Sequence, residues 1–414
     1  MNHLPHWAIF TTNASSKKTC IKRLMSKEPP SGFEALKGAK IALFSKLILA
    51  QFIEEEARHH IKKMHTQRQQ AIRSLSSGEQ KKALLQHLLK DHPTFLILDN
   101  PFDSLDTATQ VRLKEKLQDL ASKLSIIQFV SRKTDCLPFI TTYYRLDKNE
   151  LALQTDTATM DILGTAKPIH FDQPIPSPLK KYPIDSPILV ALKAVSVQYG
   201  NYTVLHNINW TIRPGEFWQL VGANGSGKTT LLSMITGENS KGYGQELYLF
   251  GRKKGSGESI WEIKEKIGYV TASMTARFLG YHSLEHMLIS GLYDSIGLYV
   301  QPTAAARKLA KKWLQLLQME HLKHAYFHEL TRGQQRMLML ARAVIKHPLL
   351  LILDEPTVDL DDTSAAVFVR LVNKIAEESK TTILYVSHRN EPGLHPKSTY
   401  VLRPSEKGSI GSIL

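Results

Sequence analysis

Gly222-Ala223-Asn224-Gly225-Ser226-Gly227-Lys228-Thr229-Thr230 constrains what this 414-residue chain can fold into more than any other stretch. A strand-like apolar run, Phe217-Trp218-Gln219-Leu220-Val221, precedes it, and a helix-like run, Leu231-Leu232-Ser233-Met234-Ile235, follows it. The pattern G-x-x-x-x-G-K-T between a strand and a helix is a phosphate-binding loop. Its glycines let the backbone curl until successive N–H groups converge on a phosphate chain, and the helix N-terminus adds its positive end. Lys228 has the reach for β- and γ-phosphates, and Thr229 offers a hydroxyl to Mg²⁺.

Composition narrows the setting. A hydrophobic share of 42% with 22% charged residues is ordinary for a globular protein, and the length suits two or three domains. Cys20 and Cys136 form neither a metal-ligand spacing nor a disulfide framework, which points to a reducing, cytoplasmic compartment. The sequence has no apolar run of membrane-spanning length, and Met1–His6 does not begin a signal peptide pattern. The net charge of +15 is spread over both halves: Lys+Arg against Asp+Glu is 24 to 17 in residues 1–165 and 29 to 21 in 166–414. Solvated faces and a nucleotide site account for such an excess without a polyanion partner.

The chain is an internal duplication. Trp218–Thr230 aligns without a gap with Trp7–Thr19, Leu330–Gln335 with Leu75–Gln80, Leu350–Pro356 with Phe95–Pro101, and Val386–Arg389 with Val130–Lys133. Four matches in one order are the mark of a repeat. The proline-rich stretch 166–190 reads as an extended linker, giving domains 1–165 and 191–414. The first copy is worn. Thr11, Ala14 and Ser16 stand where the second copy has Gly222, Gly225 and Gly227, and Lys18 replaces Thr229. It is also short: from loop lysine to motif aspartate is 354 − 228 = 126 residues in the second copy and 99 − 17 = 82 in the first. It is therefore expected to be an edge-exposed half-sheet that folds poorly alone.

Leu349–Asp354 is a continuous apolar run ending in a carboxylate, the pattern of a strand buried on both faces that delivers Asp354 at its end. Asp354 there suits Mg²⁺, and Glu355 suits a base for an attacking water. His388 ends another buried run, Thr382–Ser387.

Taken together these motifs resemble the ATP-binding cassette (ABC) ATPases. The resemblance is strong over 190–390 and weak before 166. It implies Walker A at Gly222–Thr230, a signature at Leu330–Gln335, Walker B at Leu350–Asp354 with Glu355, a D-loop at Val358–Asp361 and a switch histidine at His388. It further implies that Tyr199 stacks on adenine, with Tyr202 as the competing choice, and that His388 senses the γ-phosphate. The expected fold is α/β, with one complete cassette (parallel sheet core, antiparallel edge, helical subdomain) and one truncated, degenerate copy. Gly237–Lys264 and Ser290–Tyr299 are similar to segments of tandem cytosolic ABC ATPases named for molybdate transport or photorepair. Two departures stand out. Ala272 and Ser273 follow Gly268-Tyr269-Val270-Thr271 where most cassettes have a Gln that couples to a membrane domain, and Thr331-Arg332 replaces Ser-Gly.

Cassettes of this family pair head to tail, each ATP lying between one Walker A and the other copy's signature. Pairing the copies this way puts Lys228, Thr229, Asp354, Glu355 and His388 with Ser76, Ser77, Gly78 and Glu79 in one site. The other site collects Lys17, Lys18, Asn100, Arg132, Thr331 and Arg332, where only Lys17 is unaltered. The implied function is an ATPase, using ATP and Mg²⁺, with one composite site and intramolecular pairing of the copies. Its implied location is cytoplasmic, or peripheral at the inner face of a membrane, with a permease or another protein as partner. A tandem cassette acting on the ribosome or nucleic acid stays open, although the short proline-rich linker counts against it. So does an ATP-gated module without turnover. No tight molybdate site and no metal beyond Mg²⁺ are expected.

Overall fold

The computed structural model describes residues 4–59, 64, 71–154, 170–278, 280–389 and 391–414. They fall into two compact units, Met1–Lys167 with Asp359–Thr363, and Pro168–Val358 with Ser364–Leu414. The predicted linker's first residues, 166–169, lie outside the described residues.

The first unit contains β1 (Trp7–Thr11), α1 (Lys17–Leu24), β2 (Ile41–Phe44), α2 (Lys46–His59), α3 (Ser77–Leu89), β3 (Phe95–Asp99), α4 (Thr107–Ala121), β4 (Ser125–Val130), β5 (Thr142–Asp147) and β6 (Glu150–Gln154). Its strands form one sheet in the order β2-β3-β4-β1-β5-β6, parallel except for the β5–β6 pair. Alternation along the strands feeds two cores. Ala8, Phe10, Leu96, Leu98 and Ile126 pack on one face, and Trp7, Ile9, Phe95, Ile97 and Ile127 on the other. Every residue of β1 and β4 is buried, as a sheet covered on both faces requires. The expected half-sheet is therefore corrected: the first unit has a full six-stranded sheet.

The second unit continues with β7 (Val190–Tyr199), β8 (Tyr202–Ile212), β9 (Phe217–Gly222), α5 (Lys228–Ile235), β10 (Leu247–Leu249), β11 (Arg252–Lys253), α6 (Ile260–Glu265) and β12 (Ile267–Thr271). After these come α7 (Leu284–Ser290), α8 (Ala304–Leu316), α9 (Arg332–Val344), β13 (Leu350–Asp354), α10 (Asp362–Glu378), β14 (Thr382–Val386), β15 (Ser398–Arg403) and β16 (Ile410–Ile413). Its main sheet, β12-β13-β14-β9-β15-β16, repeats the first unit's order and directions strand for strand. What the first unit lacks among its described residues is the separate four-stranded antiparallel sheet, β11-β10-β7-β8. The α7–α9 segment forms the helical part. Helix α8 buries Ala306, Leu309, Ala310, Trp313 and Leu314 and turns Arg307, Lys308, Lys311 and Lys312 to water, the amphipathic pattern of a surface helix.

Backbone strain records the duplication. His92, Asn100 and Ser104 have positive φ, and so do His347, Glu355 and Asp359. The separations are 347 − 92, 355 − 100 and 359 − 104, each 255 residues.

Two local expectations gain detail. The proline-rich segment is extended, and it is strapped to the second unit. Gln318 donates to the His170 carbonyl (3.0 Å), the Ile175 amide to Glu378 (2.9 Å), and Lys180 pairs with Glu265 (2.6 Å). The turn Arg252–Gly257, which alone reads as a solvated basic turn, instead buries Lys254. Its side chain is 1% exposed, pairs with Glu258 at 3.3 Å and lies over the Tyr243 ring.

Candidate nucleotide site

In the second unit, β9 leads into the glycine loop and α5 leads out. Gly225 (φ +79°) and Gly227 (φ +88°) take left-handed backbone that suits glycine. A Cβ on Gly227 would lie 2.6 Å from Leu205 Cδ2, so both conformation and space demand glycine there. Lys228 folds back, its Nζ donating to the carbonyls of Gly222 (2.6 Å) and Ala223 (3.0 Å). Among the described residues the amides of Gly225, Gly227, Thr229 and Thr230 meet no acceptor. The buried Ser226 hydroxyl likewise has no partner. A curl of unfilled donors closed by a lysine, with Asn224 and Ala223 completing it, fits a phosphate chain.

Parallel pairing brings the other residues alongside. β13 and β14 are neighbours, and β14 lies beside β9, so Asp354, Glu355 and His388 share the strand-end edge with the loop. Burial and the adjacent Glu355 push the Asp354 carboxyl above its usual value, with Lys228 opposing. The Tyr269 hydroxyl donates to Asp354 at 3.3 Å, and burial first, then Asp354's charge, pushes that phenol up as well. Thr229 is exposed at the first turn of α5, so Thr229 and Asp354 are the residues fit to hold Mg²⁺. Glu355 sits at φ +50°, held by its amide's bond to the Val386 carbonyl (2.9 Å). His388 Nδ1 lies 2.7 Å from Glu355 Oε1, whereas its buried Nε2 has no partner among the described residues.

Tyr199 and Tyr202 face each other at the end of the β7–β8 hairpin, both exposed. Asn239 donates to the Tyr199 hydroxyl (2.9 Å), and Lys241 stands over its ring.

The first unit's loop has the same place in the sheet and a different fate. Ser16, aligned with Gly227, caps α1 at φ −81°. The Ser16 amide, aligned with that of Gly227, donates to the Lys148 carbonyl (2.8 Å), and the Thr12 amide donates to the Ser15 hydroxyl (3.0 Å); Ser15 donates to the Thr12 carbonyl (3.0 Å) as Ser226 does to Ala223 (3.2 Å). The Asn13 amide donates to the Asp361 carboxylate at 2.6 Å. Lys17 pairs with Asp99 at 2.5 Å, and Asn100 bonds Ser131 at 3.0 Å.

Ser76 caps α3. It accepts from the Glu79 amide and donates to the Glu79 carboxylate (2.7 Å), while Ser77 donates to the Ser104 carbonyl (3.1 Å). Gly78 lies in the first turn of α3, and a Cβ there would meet Thr109 Cγ2 at 2.8 Å. Thr331 caps α9 in the same manner with Gln334. Sequence reasoning missed Tyr269, Asn239 and Lys241 beside the loop. For Tyr269 the only available signal was its place on the strand that pairs with β13.

A phosphate-type loop after the interior strand β9 of a parallel sheet, with a carboxylate pair at the end of β13 and a histidine after β14, defines the class as a P-loop nucleotide-binding cassette. Residues 205–358 match the ABC transporter family. The chain is 37% identical over 329 residues to the ABC transporter ATP-binding protein ModF of Escherichia coli (strain K12), covering 77% of this chain and 67% of that one. It is 28% identical over 327 residues to the uncharacterized ABC transporter ATP-binding protein C323.04 of Schizosaccharomyces pombe (strain 972 / ATCC 24843), covering 77% and 66%. It thus spans about two thirds of the length of both relatives. A structure titled RNase-L Inhibitor matches 99% of this chain and 87% of its own at a TM-score of 0.61 and 16% identity. A model of ribosome-bound archaeal Pelota and ABCE1 matches 99% and 74% at 0.64 and 15%. These two establish the fold. The chain belongs to the ABC ATPase family, in which ModF is also a tandem-cassette member.

Proposed function

We propose that this protein binds ATP with Mg²⁺ at the second unit's loop and hydrolyses it there, as an ATPase with one working nucleotide site. The observation that supports this best is the Glu355–His388 pair, 2.7 Å apart, beside a loop with amides that meet no acceptor. In this reading the loop amides and Lys228 hold the phosphates. Tyr199 offers its ring to adenine, and Glu355 orients the attacking water and takes its proton. His388 steadies Glu355 through Nδ1 and keeps Nε2 for the terminal phosphate. Mg²⁺, held by Thr229 and Asp354, supplies charge neutralisation on the phosphate oxygens. The test is phosphate release by Glu355→Gln. It should bind ATP normally and lose about 10²–10⁴-fold in turnover, the usual worth of a positioned base; a wild-type rate would refute the assignment.

The same reading has Ser76, Ser77, Gly78 and Glu79 of the first copy complete the site that Lys228 begins. Its support is in the sequence, where losses gather in one set of motifs and spare the other. A transport role, with a permease partner and a place at the inner membrane face, comes to this chain from the names of its relatives. No helix of the described residues is long and apolar enough to cross a membrane; in this reading the permease is a separate partner. Fractionation of the native cell tests this: a permease partner holds the protein on membranes, and a wholly soluble pool opposes the idea.

A further inference from the structure

Two loops carry the Glu355–His388 pair, and a second, more deeply buried link joins the same loops. Thr357, two residues after Glu355, donates from Oγ1 to Glu391 Oε1 at 2.5 Å. Glu391 is three residues after His388. Thr357 is 5% exposed and Glu391 3%. The hydroxyl of the fully buried Tyr385 lies 3.4 Å from Thr357 Oγ1. A carboxylate so far from water persists only where donors hold it, so this link has one defined geometry.

The remaining bonds convert that geometry into a frame. The Glu355 amide is fixed to the Val386 carbonyl, and the Ser387 hydroxyl both accepts from the Arg389 amide (2.9 Å) and donates to the Arg389 carbonyl (2.8 Å). Glu355 has left-handed backbone, which a non-glycine residue keeps only when its surroundings impose it. The ties between the loop after β13 and the loop after β14 thus include Glu355 N to Val386 O, Glu355 to His388, and Thr357 to Glu391. The first and third have no need of the side chains that face the reaction.

We propose that Thr357 and Glu391 are positioning residues, a buried clamp that sets the Glu355–His388 contact by fixing the two loops that bear it. The proposal rests on the hydrolytic reading above. Without the Thr357 hydroxyl the loops can separate, and Glu355 then holds the attacking water in fewer productive arrangements. Nucleotide affinity does not change, because the amides and Lys228 lie on another loop.

The test uses the full-length protein. Thr357→Val keeps the side-chain shape and removes the hydroxyl; Thr357→Ser keeps the hydroxyl. Turnover is read by release of radiolabelled phosphate, affinity by a fluorescent ATP analogue, and folding by thermal melting. Thr357→Val should lower kcat about tenfold, within the range for coupled neighbours, with affinity unchanged and Thr357→Ser near wild type. In a His388→Ala background the Thr357→Val loss should vanish, because the contact it sets is already gone. Glu391→Leu should behave like Thr357→Val and carries the test if that variant does not fold. Equal losses with and without His388, or a wild-type rate in Thr357→Val, overturn the clamp alone when Glu355→Gln is inactive. A Glu355→Gln protein with wild-type turnover brings down the catalytic reading and the clamp with it.

Discussion

The two glycine-loop regions share a scaffold and differ in who uses their backbone donors. Each loop leaves a strand at the same place in a six-stranded sheet and enters an eight-residue helix. In the second unit glycine lets the chain turn through left-handed backbone, and the amides of Gly225, Gly227, Thr229 and Thr230 meet no acceptor among the described residues. In the first, Ser16 has a negative φ, its amide bonds the Lys148 carbonyl, and Asp99 neutralises the lysine. A phosphate site is lost here by filling as well as by substitution. The sheet behind it is kept because its two apolar cores do not depend on the loop.

The sharpest way to break that contrast is to remove each lysine. Lys228→Ala should abolish ATP binding in equilibrium titration. Lys17→Ala should leave binding unchanged and cost less than about 1 kcal/mol of stability, as for a partly exposed ion pair. Loss of ATP binding in Lys17→Ala would show the first loop to be in use. Next comes the turn. Gly227→Ala should destabilise by about 2 kcal/mol through left-handed strain and the Leu205 contact, and should weaken ATP severely. Ser16→Gly should not create a second site, since calorimetry would still meet occupied amides; a stoichiometry of two would refute this.

Gly78→Asp sharpens the division of labour. The Thr109 methyl lies where the new Cβ must go, so the change is best made with Thr109→Ser. In that background we expect turnover to fall at least tenfold with ATP affinity kept, as loss of a transition-state interaction requires. An unaltered rate would remove the first copy from catalysis. A smaller effect follows from Asp354. Its raised pKa means the folded chain keeps this proton to higher pH than the unfolded chain does. As pH falls through that raised value, Mg²⁺ affinity should drop, while stability relative to Asp354→Asn should rise. Opposite slopes in metal titrations and melts check the sign. Least affected are the thiols: burial lifts Cys20 and Cys136 to about 11, so alkylation at neutral pH should be slow until unfolding.

Much of this was legible because it is local. A loop between a strand and a helix, a carboxylate ending an apolar run, and motifs repeated in order are all visible as spacing. The first unit's complete sheet was not, because the shortening between Lys17 and Asp99 spares every strand of that sheet. Tyr269 and Asp354 are 85 residues apart, and Thr357 and Glu391 are 34 apart. Such partners meet only through strand order. The burial of Lys254 was not visible either, because a basic turn looks solvated until Glu258 covers it.

Glu355 and Asn100 occupy one backbone position, 255 residues apart, with φ +50° and φ +45° and the same bond from their amides to the neighbouring strand. Left-handed backbone burdens glutamate by about 1–2 kcal/mol, and asparagine by less because its short amide tolerates that region. Relaxed selection would let such a position drift to the residue its backbone prefers, as position 100 is placed to have done. On the proposed hydrolytic reading, glutamate is held at 355 against its backbone's preference, and a paralogue with asparagine or glycine there should lack turnover.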